Sequence, residues 1–141
     1  MIVSFWLIIL YKYVPLQLMK ELLFKIPPFV ATVIVILIVA YLTLFPKPLP
    51  DMPLMMFPYA DKVVHFVMFF GVAACLMLDC GRVCRRMAVL VSLAVAIAYG
   101  GLIELLQMWM GMGRAADWFD FFADAAGALA GTWLCWRLFF R

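Results

Sequence analysis

Four long apolar runs follow one another, separated by short polar or proline-rich breaks. They cover about residues 28–45, 62–79, 87–110 and 118–139. A membrane-crossing helix needs roughly 20 apolar residues, and each run approaches that length. The first is rich in Val, Ile and Leu and carries no charge, with Pro28 at a tolerated first-turn position. Residues 46–53 hold four prolines, and Pro58 follows, so this connection reads as an extended, polyproline-like loop. A short basic turn at residues 81–86 separates the second run from the third, and Gly111 and Gly113 break the chain before the fourth.

The first 26 residues have a different pattern. Ile2 to Tyr11 is apolar, but Lys12 interrupts it at about half a span. No basic segment precedes it and no small-residue cleavage site follows, which argues against a signal peptide. From Leu16 to Ile26, Gln17, Lys20, Glu21 and Lys25 recur at three- and four-residue steps opposite Leu18, Met19, Leu22, Leu23 and Ile26. That spacing predicts an interfacial amphipathic helix, ended by Pro27 and Pro28. Met19 offers a second candidate start. The expected architecture is all-α: an integral membrane four-helix bundle over residues 27–141, with an N-terminal amphipathic segment over 1–26.

Composition supports the membrane reading. Of 141 residues, 70% are hydrophobic and 13% charged, with a mean hydropathy of +1.13. A soluble domain is nearer half apolar and a quarter charged. Cys75, Cys80, Cys84 and Cys135 have no spacing that marks a metal or redox motif, and no cofactor is read from the sequence. The net charge of +3 does not indicate a nucleic-acid partner; its distribution bears on orientation instead. Lys12, Lys20, Lys25, Arg82, Arg85, Arg86, Arg137 and Arg141 fall on one side of a four-span arrangement, against Lys47, Lys62 and Arg114 on the other. Positive residues stay inside, so both termini are expected in the cytoplasm of a multi-pass inner-membrane protein.

That topology collects the polar residues of the spans toward the outer side. Asp61 and His65 are four apart on one helical face, and Glu104 and Gln107 three apart on another. Asp117, Asp120 and Asp124 follow a 3-then-4 stripe. Phe119, Phe122, Leu129 and Trp133 form the opposite, lipid-suited side of that run. Glu104 and Asp124 sit six residues from their helix ends, roughly 9 Å deep at 1.5 Å per residue. A charge near mid-membrane costs about 2.5–3.5 kcal/mol, so these carboxyls need partners, water, protons or a cation. Lys62, Arg114 and His65 are the cationic groups available.

His65, Glu104 and Asp124 are the candidate catalytic residues. Asp61, Lys62, Gln107, Arg114, Asp117, Asp120 are the candidate substrate-binding ones. Each has a plainer role. Asp117 can cap the fourth helix, Lys62 can snorkel, His65 can bond Asp61, Gln107 can tie helices together, and Arg114 can pair with a carboxylate. Asp120 and Asp124 lie too deep for capping. The stripe Ala123, Gly127, Gly131 reads as close helix packing.

At these residues the chain resembles the VanZ-like family of small bacterial membrane proteins, over about Pro27 to Gly131. The matching elements are residues 43–46 closing the first span, Asp61, Lys62, His65 and Phe66, then Glu104 and Gln107. Arg114, Asp117, Asp120, Asp124, Gly127 and Gly131 complete the match. One departure is Asp124, where the family often carries Asn. The family is named for association with low-level resistance to the glycopeptide teicoplanin, and no mechanism comes with the resemblance.

Three function classes fit. The first is an outward pocket that binds membrane lipids, a lipid-linked envelope precursor or another amphiphilic ligand. The second is an intramembrane hydrolase or transferase with His65 as acid or base and Arg114 clamping an anion. No Ser, Thr or Cys nucleophile sits at the motif, so a covalent step would use a carboxylate. His65 with two carboxylates also permits a hard-metal site, although no metal motif is present. The third is a structural or transport component.

Overall fold

A computed structural model describes residues 16–45, 58–110 and 117–141, with side chains from residue 18 onward. All regular structure there is helical: α1 (Leu16–Lys25), α2 (Val30–Leu44), α3 (Ala60–Val83), α4 (Ala88–Met110) and α5 (Trp118–Phe139). Ile2–Tyr11, the proline-rich connection over 46–53, the 111–113 break and Arg114 lie outside the described residues.

α1 ends where expected, at the residues before Pro27 and Pro28. α2 starts later than the apolar pattern implies. Phe29 adopts a left-handed φ of 67°, which leaves Pro28 in a turn ahead of the helix rather than in its first turn. The two helices meet at a bend of 79°. α2 has 15 residues, about 22 Å of helix, less than the roughly 30 Å hydrocarbon core.

α3 and α4, with 24 and 23 residues, are each long and apolar enough to cross a membrane. The bent pair α1–α2 adds a third element if the two are taken together. α5 has 22 residues but carries Asp120 and Asp124 in its first two turns and is not apolar enough to be counted with them. α3 extends past the expected end at Asp79 to Val83, since the one glycine there, Gly81, costs a helix only about 1 kcal/mol.

The most extensive packing is α3 against α5, made through small residues. Gly127 and Gly131 of α5 face the backbone of Phe66 and Phe70 in α3 so closely that neither position has room for a Cβ. Val39, Phe69, Val72, Ala73, Leu76, Ala96, Ile103 and Ala128 form the main apolar core across α2, α3, α4 and α5. Met77, Ala88, Cys135 and Phe140 form a second cluster toward the far end of α3. Phe119, Phe122, Leu129 and Trp133 are exposed, as the lipid-facing stripe predicts.

Two hydrogen bonds join α4 to α2: the Tyr99 hydroxyl donates to Ile36 O at 2.8 Å, and Gln107 Nε2 donates to Thr43 O at 2.9 Å. A separate polar cluster sits at the C-terminal end of α3. Thr32 Oγ1 donates to buried Asp79 Oδ2 at 2.5 Å. Arg82 donates to the carbonyls of Leu23 and Ile26, at 2.8 and 2.9 Å, and lies over the Phe24 ring. Arg82 therefore satisfies the Ile26 carbonyl at the end of α1 and adds a second donor to Leu23 O, which also accepts from Ile26 N at 3.3 Å.

Candidate functional site

The polar residues near the N-terminal ends of α3 and α5 and the C-terminal half of α4 meet in two tiers. The outer tier centres on Lys62. Its ammonium lies 2.7 Å from Asp61 Oδ2, 2.6 Å from Asp117 Oδ2 and 2.8 Å from Asp120 Oδ1. The contacts to Asp61 and Asp117 are aligned hydrogen bonds, whereas Asp120 makes an ion pair without that alignment. Lys62 thus joins the start of α3 to the start of α5 and does not simply extend to the surface.

Asp117 is the pivot between the tiers. It precedes α5 in extended conformation, and its Oδ1 accepts from Phe119 N at 2.9 Å, an N-cap geometry. The Lys62 ammonium first, and this backbone amide second, hold its carboxyl below the ordinary carboxylate range. Its own N–H donates to Glu104 Oε2 at 3.0 Å. A cleft of about 400 Å³ opens over this tier, lined by Tyr59, Asp61, Lys62, Asp117 and Phe119.

The inner tier consists of His65, Glu104 and Asp124, one each from α3, α4 and α5. All three are buried, at 7%, 7% and 0% exposure. His65 Nδ1 lies 2.9 Å from Asp124 Oδ1. Asp124 Oδ2 and Glu104 Oε1 are buried with no hydrogen-bond partner. One potential ligand atom from each residue lies within 4.8 Å of the others, a spacing that can hold a metal ion. Gly100 of α4 gives Asp124 its room: a Cβ there would stand 3.0 Å from Oδ2 and 3.2 Å from the Asp124 Cβ. The Phe66 and Phe70 backbone against Gly127 and Gly131 brings α5 close to α3, and that approach places Asp124 beside His65.

Eight of the nine sequence candidates are described. His65, Glu104 and Asp124 come together as one group, and Lys62, Asp61, Asp117 and Asp120 as another. His65 bonds Asp124 on another helix and not Asp61, its neighbour at four residues, because Asp61 turns outward to Lys62. Gln107 stands apart from both tiers and ties α4 to α2. Arg114 falls outside the described residues. Sequence reading overlooked Gly100, Thr32 and Asp79. Asp79 did have a signal, an acid inside an apolar run, but its position at the end of the expected span made it look like a boundary.

An all-helical membrane protein with a two-tier acidic site between three helices is the class these features define. The chain belongs to the VanZ/LLP1 family, whose model matches residues 2–141. The match takes in the N-terminal residues that the sequence resemblance had left aside. No curated protein and no solved structure matches the chain.

Proposed function

We propose that this protein crosses the bacterial cytoplasmic membrane four times, with α3 and α4 as full-length spans, the shorter α2 and the acid-bearing α5 completing the bundle, and both termini in the cytoplasm. The cleft over Lys62 then faces outward and binds the polar head of a cell-envelope amphiphile. One observation carries the reading. Three carboxylates, Asp61, Asp117 and Asp120, converge on a single ammonium beneath a cleft the size of a small ligand site. Among the described residues the cleft carries a surplus of negative charge, which favours a head group bearing a protonated amine, and exposed Tyr59 and Phe119 supply an apolar rim for its chain.

The test is the lipid retained by the purified protein after exposure to vesicles containing phosphatidylethanolamine and phosphatidylglycerol in equal amounts. Mass spectrometry should find the amine-headed lipid enriched on the wild type, and the enrichment lost in an Asp117→Asn/Asp120→Asn variant. Preferential retention of phosphatidylglycerol would refute the charge argument. At the level of the cell, occupancy of the cleft should alter envelope composition or teicoplanin susceptibility. Deletion of the gene with both unchanged would remove that consequence.

The buried His65–Asp124 pair favours a second reading, an intramembrane hydrolase or transferase on a lipid-linked substrate. An imidazole held by a carboxylate is oriented for proton transfer. A His65→Ala variant that accumulates normally but changes no envelope lipid relative to wild type would argue against it.

A further inference from the structure

We propose that His65, Glu104 and Asp124 bind one divalent first-row metal ion, zinc, manganese or iron(II), between α3, α4 and α5. The inference is independent of what the outer cleft binds.

Four observations converge on it. The three residues can bring one ligand atom each within 4.8 Å of the others. With ligand bonds of roughly 2.0–2.2 Å, atoms around one ion stand about 3–4 Å apart, so only small side-chain movements close the site. Second, Asp124 Oδ2 and Glu104 Oε1 are buried and unpartnered among the described residues. Orphaned carboxylate oxygens at such burial are costly, and an ion is a partner that satisfies both at once.

Third, among the described residues no fixed cation is left over for the inner carboxylates. The nearby ammonium, Lys62, is already shared by Asp61, Asp117 and Asp120. The inner tier is left with two carboxylates and one imidazole, and a dication neutralises the pair. Fourth, the ligands are held in place by neighbours. Asp117 N–H fixes Glu104 Oε2 and leaves Oε1 free, and the missing side chain at Gly100 leaves Asp124 Oδ2 its space. Backbone hydrogen bonds of this kind orient metal ligands.

The donor set narrows the metal. Imidazole with carboxylates suits zinc, manganese or iron(II); magnesium and calcium prefer oxygen alone, and copper(I) prefers sulfur. Three protein ligands leave at least one position for water or a substrate oxygen, the arrangement of a reactive rather than a closed site.

The experiment uses the full chain purified in detergent without chelator. Elemental analysis should find about one zinc, manganese or iron ion per chain, as a single three-ligand site implies. Stripping the metal and adding cobalt(II) should give visible absorption bands, displaced by zinc. Glu104→Gln, which removes one of three ligands, should lower metal affinity by more than the roughly 10–100-fold that loss of an outer-shell partner costs. Glu21→Gln, an exposed carboxylate of α1 outside both tiers, should leave it unchanged. If Glu104→Gln does not accumulate, the cobalt spectrum of the wild type decides alone. A wild type that carries no stoichiometric metal and gives no cobalt bands overturns the proposal, and a proton shared among the three side chains then satisfies them. Equal affinity in Glu104→Gln and wild type overturns it as well.

Discussion

Alanine at Gly127 and at Gly71 should have opposite effects on stability. Both are helical glycines, one in α5 and one in α3, so the change in helix propensity is the same: a gain of roughly 0.8–1.0 kcal/mol. The surroundings differ. A Cβ at Gly71 meets nothing within 4 Å, so the propensity gain stands alone. A Cβ at Gly127 would overlap the Phe66 carbonyl oxygen and lie 3.0 Å from both Phe66 C and Phe70 N. Carbon atoms rest about 3.5–4.0 Å apart, so α3 and α5 must separate by at least half an ångström. The obstacle is backbone, which cannot rotate away as a side chain can. Overpacking costs typically 1–3 kcal/mol, and this case belongs at the upper end. With the propensity gain subtracted, Gly127→Ala should lose about 2 kcal/mol and Gly71→Ala should gain up to about 1. The gap of about 3 kcal/mol corresponds to roughly a hundredfold change in the folding equilibrium. Unfolding in mixed micelles with increasing sodium dodecyl sulfate measures both variants on one scale. Equal stabilities, or a less stable Gly71→Ala, would refute the close approach of α3 and α5.

Arg82→Ala should release the end of α1. It removes donors to Leu23 O and Ile26 O and a cation over Phe24, so amide exchange at the α1–α2 junction should accelerate while α3 and α5 stay protected. Arg82→Lys should recover little of this, because a single ammonium cannot reproduce the guanidinium fork. Asp117 gives a pH effect with a defined sign. Its carboxyl sits below the ordinary aspartate value of 3.8, so its contribution is complete above that pH and disappears as pH falls through the lower folded value. Wild type should therefore lose more thermal stability than Asp117→Asn does as pH falls below about 4. For orientation, a reporter fused near Pro50 should be extracytoplasmic and one near Arg85 cytoplasmic, and the reverse would overturn the topology.

Helix positions were readable because lipid-suited segments must be apolar and continuous, and proline and glycine mark their ends. Residues 118–139, expected as the fourth run, match α5 from end to end. The start of α2 was less readable, since the left-handed turn at Phe29 leaves no mark in residue type. Among the site residues, membership was legible in part: an acid or histidine in an apolar run stands out because hydrocarbon penalises it. Partnership was not. Spacing of four placed His65 with Asp61, yet the two point to different neighbours.

The sequence by itself determined that this chain is helical and apolar, where its helices run, and that Glu104 and Asp124 are out of place unless something satisfies them. Periodicity and transfer cost act within one helix, so one helix is enough to read them. Tertiary structure alone decided that Lys62 gathers three carboxylates, that Asp117 links the two tiers, and that His65, Glu104 and Asp124 share one buried site. Those relations depend on how closely α3, α4 and α5 approach. That distance is set by small residues: spacing alone marked Gly127 and Gly131 as a packing stripe, but which backbone lies against them, and that Gly100 makes room for Asp124, appears only in the fold.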